Sequence, residues 1–103
     1  MTGPPQLTPE QRTAALAKAA EARRARAEVR ESLRAGHTTL VDVLDMANDD
    51  LVGGIKVKAI LTALPGLGKV KSHRLMERLG ISESRRLRGL GSKQREALLA
   101  ELS

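Results

Sequence analysis

The sequence predicts an all-α fold: a long N-terminal helix followed by a compact set of short helices. Two features predict it. Residues 14–35, AALAKAAEARRARAEVRESLRA, form an unbroken run of strong helix formers. Beyond Gly36, glycine and proline cut the chain into short segments whose apolar residues recur at helical spacing, and no stretch alternates as a strand would.

The elements follow in order. In TPEQ, Thr8 is placed as an N-cap, Pro9 as the first helical residue and Gln11 as the reciprocal capping-box partner. MTGPPQL ahead of it reads as flexible. The helix stops at Gly36. Its larger apolar residues, Leu16, Val29 and Leu33, are too few for a deep stripe, so only its C-terminal end is expected to pack. Residues 37–54 are the only acidic part, with Asp42, Asp45, Asp49 and Asp50 and no Lys or Arg. Within them TTLVDVLDMAN reads as a helix capped by Thr38 or Thr39, with Leu40, Val43, Leu44 and Ala47 at core positions. Gly53 and Gly54 break the chain. VKAILTAL (57–64) is a helix with Ile60, Leu61 and Leu64 inward, ended by Pro65. Helix 69–79 presents Val70, Leu75, Met76 and Leu79 and ends at Gly80, which suits a left-handed C-terminal position. A helical turn around 83–88 and a last helix from Ser92 through Leu102 complete the chain. Two units are expected: an N-terminal arm and long helix (1–36) and a body (37–103).

Composition narrows the function. At 103 residues the core is modest, and with no Phe, Trp or Tyr it must be built from Leu, Val, Ile and Ala. A net charge of +6 and a pI near 10.5 point to a polyanionic partner. The absence of Cys excludes disulfides and cysteine zinc sites. No apolar run is long enough for a membrane span or a signal-peptide core, so a soluble intracellular protein without a membrane partner is expected.

An internal repeat stands out. LPGLGKVKSHRLMERL (64–79) and LRGLGSKQREALLAEL (87–102) align without gaps, with Leu64/Leu87, Gly66/Gly89, Leu67/Leu90, Gly68/Gly91, Leu75/Leu98 and Leu79/Leu102 identical. Both place Gly-Leu-Gly at a helix start. Such a start leaves backbone N–H groups without acceptors at the positive end of the helix dipole, and a phosphate is their natural ligand. Glycines permit positive φ and close backbone approach there. Lys69 and Lys71 would close the clamp. An ordinary turn would account for Gly66 and Gly68 alone; the adjoining lysines and the second copy favour phosphate binding.

PGLGKVKSHRL resembles the helix-hairpin-helix element, which binds duplex nucleic acid through its phosphates, with Ser72 as its small residue. LPGLGKVKSHRLMERLGISESRRLRGLG, together with the TPEQR start and the Ala/Arg-rich helix, resembles the actinobacterial integration host factor family. The likeness covers nearly the whole chain and is most specific in 64–94. It implies a helix-two-turns-helix core akin to a small-subunit ribosomal protein, in a monomeric nucleoid-associated protein of the cytoplasm. It further implies binding of double-stranded DNA with little sequence preference, bending or compaction of that DNA, and assistance to site-specific recombination beside a phage integrase. By the same resemblance Leu64, Pro65, Gly66, Leu67, Gly68, Lys69, Val70 and Lys71 form a DNA-binding turn. Ser82, Ser84, Arg85, Arg86, Arg88, Gly89, Gly91, Ser92 and Lys93 form a second contact.

Other readings are weaker. A charge run such as Arg85, Arg86 and Arg88 is usually a solvated face, but these three lie between the two glycine turns. His73 reads as a surface residue and His37 as incidental beside a cap. Glu21, Glu28 and Glu31 balance Arg23, Arg24, Arg26 and Arg30, so the long helix reads as solvated, with DNA support as its lesser role. Asp49 and Asp50 lack the further ligands of a metal site and are expected to repel DNA from that face. No cofactor is expected. A glycosylase would carry its lysine nucleophile two residues after the second glycine, where the two copies have Val70 and Lys93. It would also need a downstream Asp, and none follows Asp50. The related N-terminal-proline chemistry is out of reach, because the first Pro is at position 4. No aromatic residue is available to stack a flipped base. An enzyme is therefore not expected. A duplex RNA-binding or ribosome-associated protein is the alternative, although the lack of aromatic residues counts against single-strand recognition.

Overall fold

The computed structural model describes residues 6–102, so most of the expected flexible MTGPPQL segment lies outside the described residues. Five α-helices carry the fold: α1 (Pro9–Ala35), α2 (Leu40–Asp45), α3 (Val57–Ala63), α4 (Gly68–Leu79) and α5 (Ser92–Leu102). Short 3₁₀ turns at Val52–Gly54 and Leu87–Gly89 complete it. Among the described residues there is no strand, only an isolated antiparallel bridge between Lys56 and Arg86.

The helix boundaries are written in local chemistry. Thr8 Oγ1 accepts from the Gln11 backbone N–H at 3.1 Å while Gln11 Oε1 accepts from the Thr8 N–H at 2.9 Å, the expected capping box. Gly36, at φ 77°, ends α1. Of the two candidate caps for α2, Thr39 is the one used: its Oγ1 accepts from the Asp42 N–H at 3.2 Å. Gly80, at φ 70°, ends α4.

The core gathers Leu33, Val43, Leu44, Val52, Ile55, Val57, Ile60, Leu61, Leu75, Met76, Ile81, Leu87 and Leu98, all buried. Branched aliphatics and Met76 fill it without any aromatic ring. α1 is anchored through Leu33, with Val29 half-buried beside it; Leu16, far up the helix, is 63% exposed. The long helix is thus solvated over its first half, as its sparse stripe predicts. Ser72 is fully buried, and its hydroxyl returns to the Gly68 carbonyl at 2.5 Å. α4 packs against α3.

Three expectations need correction. Val70, expected to be presented by α4 with Leu75, Met76 and Leu79, is 64% exposed. At about 100° per residue it falls on the side of α4 away from Ser72, Leu75 and Met76. The helical turn expected around 83–88 forms later, at Leu87–Gly89. Just before it Arg86 is extended, at φ −103° and ψ 160°, and backbone hydrogen bonds on either side of it join residues 55–57, from the Val57 N–H to Arg85 O and from the Leu87 N–H to Ile55 O, both at 2.9 Å. The helix read over 57–64 ends one residue early: Leu64 is extended, at φ −66° and ψ 135°, because Pro65 disfavours helical backbone before it.

Candidate nucleic-acid interface

The first Gly-Leu-Gly turn is built by backbone conformation. Pro65 presets its own φ, Gly66 follows at φ 81°, and the Leu67 N–H closes on the Leu64 carbonyl at 3.3 Å. Leu67 returns to helical backbone and is half-buried, and Gly68 swings positive again, at φ 72°, as the first residue of α4. Nothing lies within 4 Å of where a Cβ on either glycine would sit, so the turn is open to solvent. No side chain caps this end of α4, and its first turn carries no acidic residue. Lys69 and Lys71 are both exposed, but about 200° apart around the helix. Lys69 takes the flank that carries His73. Lys71 lines a groove with Arg74, Arg78 and the end of α5. They straddle the turn rather than converging on one point.

The second copy of the string does not repeat this geometry. Neither Gly89 nor Gly91 has positive φ. The residue aligned with Pro65 is Arg88, which lacks proline's fixed φ, and Leu87–Gly89 closes into a 3₁₀ turn. The Gly91 N–H is already engaged, at 3.2 Å, by the Gln94 side chain. Identical spacing therefore yields an open helix start in one copy and a tied one in the other.

What the second segment offers is guanidinium groups. Ser82, Ser84, Arg85, Arg86, Arg88 and Gly89 line one shallow concavity of about 490 Å³, with Gly53 completing it from across the chain. Each arginine is held by a backbone carbonyl: Arg85 donates to Gly89 O at 3.1 Å, Arg88 to Asp50 O at 3.2 Å, and Arg86 to Gly54 O. Among the described residues none of the three meets a carboxylate. Each keeps its charge and most of its five donors for a ligand. The Ser82 and Ser84 hydroxyls lie 3.0 Å apart beside them. Gly91, Ser92 and Lys93 are exposed but lie outside the concavity.

Two acidic residues nearby, Glu83 and Asp49, are occupied. Glu83 meets His73 Nδ1 at 2.7 Å and Lys58 Nζ at 3.3 Å, contacts that hold its carboxyl below the usual range, the histidine contributing most. Asp49 Oδ1 accepts from the N–H groups of Val52, at 3.0 Å, and Leu51, at 2.9 Å, which likewise lower its pKa. Asp49 thus shapes the turn behind Gly53. Sequence reasoning missed Gly53, Lys58 and His73 as parts of this neighbourhood. A Gly-Gly pair reads as a chain break, and nothing local pairs residues 58, 73 and 83.

Residues 33–102 match the model of the S13-like H2TH domain. A solved structure described as sIHF bound to an 8-base-pair palindromic DNA superposes with a TM-score of 0.80 at 50% identity, covering 84% of this chain and 98% of that one. The fold class is therefore a helix-two-turns-helix protein of the S13-like kind. Proteins named integration host factor are similar over nearly their full length. Those of Mycobacterium tuberculosis and Mycolicibacterium smegmatis are 57% identical over 96 residues, 92% of this chain and 91% of each relative. That of Streptomyces coelicolor is 55% identical over 98 residues, 94% of this chain and 92% of the relative. The chain belongs to this integration host factor family of mycobacteria and Streptomyces.

Proposed function

We propose that this chain is a non-enzymatic, monomeric nucleoid protein of the cytoplasm that binds double-stranded DNA through its phosphates with little sequence preference. One contact is the 64–71 turn, where Leu64, Pro65, Gly66 and Leu67 shape the backbone and Gly68, Lys69, Val70 and Lys71 begin the helix. The other is Ser82, Ser84, Arg85, Arg86, Arg88, Gly89, Gly91, Ser92 and Lys93. Residues 37–103 act as the DNA-binding unit and residues 1–36 as its arm. Contacts at two places on a rigid body would bend or compact the duplex and so assist a phage integrase in site-specific recombination.

The observation that carries this reading is the set of three arginines around one concavity, held by carbonyls and, among the described residues, without carboxylate partners. Such a set is stable without a ligand and attracts a polyanion with most of its donors free. The DNA-bound relative at 50% identity supports it.

The test is a salt titration on unrelated duplexes, with bending followed by end-to-end energy transfer. Affinity should fall linearly on a log–log plot, with a slope near one per phosphate neutralised, and sequences should agree within roughly tenfold. A strong preference for one site at matched salt would sink the non-specific reading. Equal competition by duplex RNA of the same length would favour the ribosomal-type alternative that the S13-like fold keeps in view.

A further inference from the structure

Lys58, His73 and Glu83 come from three separate parts of the chain and meet at the start of the arginine segment. His73 presents both ring nitrogens to carboxylates: Nε2 to Glu77 Oε1 at 2.5 Å and Nδ1 to Glu83 Oε1 at 2.7 Å. Glu83 Oε1 also accepts from Lys58 Nζ at 3.3 Å. Ionised carboxylates only accept hydrogen bonds, and a neutral imidazole donates through one nitrogen alone. A neutral imidazole would turn the lone pair of one nitrogen toward a carboxylate oxygen, so the hydrogen bond to Glu83 and the close approach of Glu77 fit together only with an imidazolium. Glu83 lies between Ser82 and Ser84, immediately before Arg85, Arg86 and Arg88.

We infer that His73 and Glu83 are positioning residues for DNA binding: a proton-dependent clasp that ties the 82–88 segment to α3 and α4. This rests on the proposed DNA contact of that segment. With His73 charged, Glu83 is drawn back and neutralised, and the arginines that follow it are held at the concavity. When His73 loses its proton, one of its two carboxylate contacts fails. A carboxylate beside the phosphate path is then less restrained and less compensated. The lowered pKa of Glu83 agrees with this pairing. The charged groups facing His73 are Glu77 on its own helix, Glu83 from the following turn with Lys58 behind it, and Lys69 one turn earlier on the same flank.

Without the clasp, deleting an acidic residue from a DNA-binding segment should strengthen binding, because a negative charge is gone. With it, Glu83→Ala should weaken binding, by about two- to fivefold, the contribution expected of exposed ion pairs. The full chain is titrated with a duplex of fixed sequence at constant ionic strength between about pH 5.5 and 7.5. Affinity should fall by a similar factor as pH rises. His73→Gln should be flat at the high-pH level, His37→Gln should keep the wild-type profile, and His73→Arg should be flat at the low-pH level. In a Glu83→Ala background the gain from His73→Arg should vanish, which separates a clasp from simple added charge. Tighter binding by Glu83→Ala, or an unchanged pH profile in His73→Gln, overturns the inference while leaving the DNA reading intact. If replacing Arg85, Arg86 and Arg88 with Ala also leaves binding unchanged, the DNA contact at this segment fails and the clasp's role falls with it.

Discussion

The backbone of Gly53 runs so close to the Ala47 carbonyl that a Cβ on Gly53 would stand 2.3 Å from that oxygen. The same Cβ would lie 3.3 Å from Nε of Arg88, so the contact couples the turn after α2 to the arginine concavity. Gly54, the next residue, has nothing within 4 Å of its Cβ position and no positive φ. Two adjacent glycines thus make opposite predictions. Gly53→Ala forces backbone apart and should cost about 2–3 kcal/mol, seen as a melting point lower by roughly 10–20 °C. Gly54→Ala should be neutral or stabilising by up to about 1 kcal/mol, through the unfolded chain's lost freedom. Matching melting curves for the two would show that the close approach is not rigid.

The two copies of Gly-Leu-Gly make a similar contrast. Gly66 and Gly68 sit in the left-handed region, where a side chain costs about 1–2 kcal/mol. Gly89 and Gly91 do not, and their Cβ positions meet only side-chain atoms at 3.4 Å or beyond. Alanine at 66 or 68 should lower the melting temperature by several degrees, while alanine at 89 or 91 should stay within about 0.5 kcal/mol of wild type. Equal losses at all four positions would restore the idea that the copies share one geometry.

These cases mark what could be read in the chain and what could not. Caps, helix stops and the core were legible because they depend on neighbours in sequence: Thr8 with Gln11, Gly36 after Ala35, Ile60 beside Leu61. The arginine segment was legible as a charge run between glycines, and all six residues expected there over 82–89 line the concavity. The repeat misled because a shared string does not fix φ: Pro65 supplies the constraint in one copy, and Arg88 supplies none in the other. Lys69 and Lys71 look convergent in a linear string, whereas helical geometry sends them to opposite flanks. Gly53 meets Arg88, and Glu83 meets Lys58 and His73, across stretches of chain that leave no local signature.

Acid should loosen the turn behind the concavity. Asp49 has a lowered folded-state pKa, held there by the Val52 and Leu51 N–H groups, and Glu83 one lowered by His73 and Lys58. For a carboxyl with a depressed folded value, the unfolded state binds protons more readily, so the stabilisation is fully present above the ordinary values of 3.8 and 4.5. It is lost as pH falls through the folded-state values. Melting temperature plotted against pH should therefore decline on acidification below that range. Asp49→Asn should show a shallower decline. An acid limb identical in the variant would mean that Asp49 contributes nothing through ionisation.

The first half of α1 should be dispensable for folding. Residues 9–18 are exposed throughout, and the helix is anchored by Leu33 and Val29 at its far end. Removing residues 1–20 discards the Thr8 capping box but no buried side chain, so cooperative melting should survive with a shift of a few degrees. DNA affinity should fall modestly at most. Loss of the cooperative transition would show that this arm supports the body through contacts its exposure does not reveal.

The arginines offer the sharpest separation of charge from position. Replacing Arg85, Arg86 and Arg88 with Ala removes three hydrogen bonds to exposed backbone carbonyls, at Gly89, Gly54 and Asp50, so a melting shift of only a few degrees is expected. If each guanidinium neutralises one phosphate, affinity should drop heavily and the slope of log affinity against log salt should fall by about 3. Replacing the same three with Lys keeps the charge but not the planar fork, which can grip a carbonyl and a phosphate at once. The triple-Lys protein should recover the wild-type salt slope yet bind more weakly at every salt concentration. If it binds as tightly as wild type, the carbonyl tethers do not position these groups and charge alone accounts for binding. If the triple-Ala protein keeps both affinity and slope, the three arginines are a solvated face, and the second phosphate contact, beside the 64–71 turn, must lie along α1 or on the Arg74 and Arg78 flank of α4.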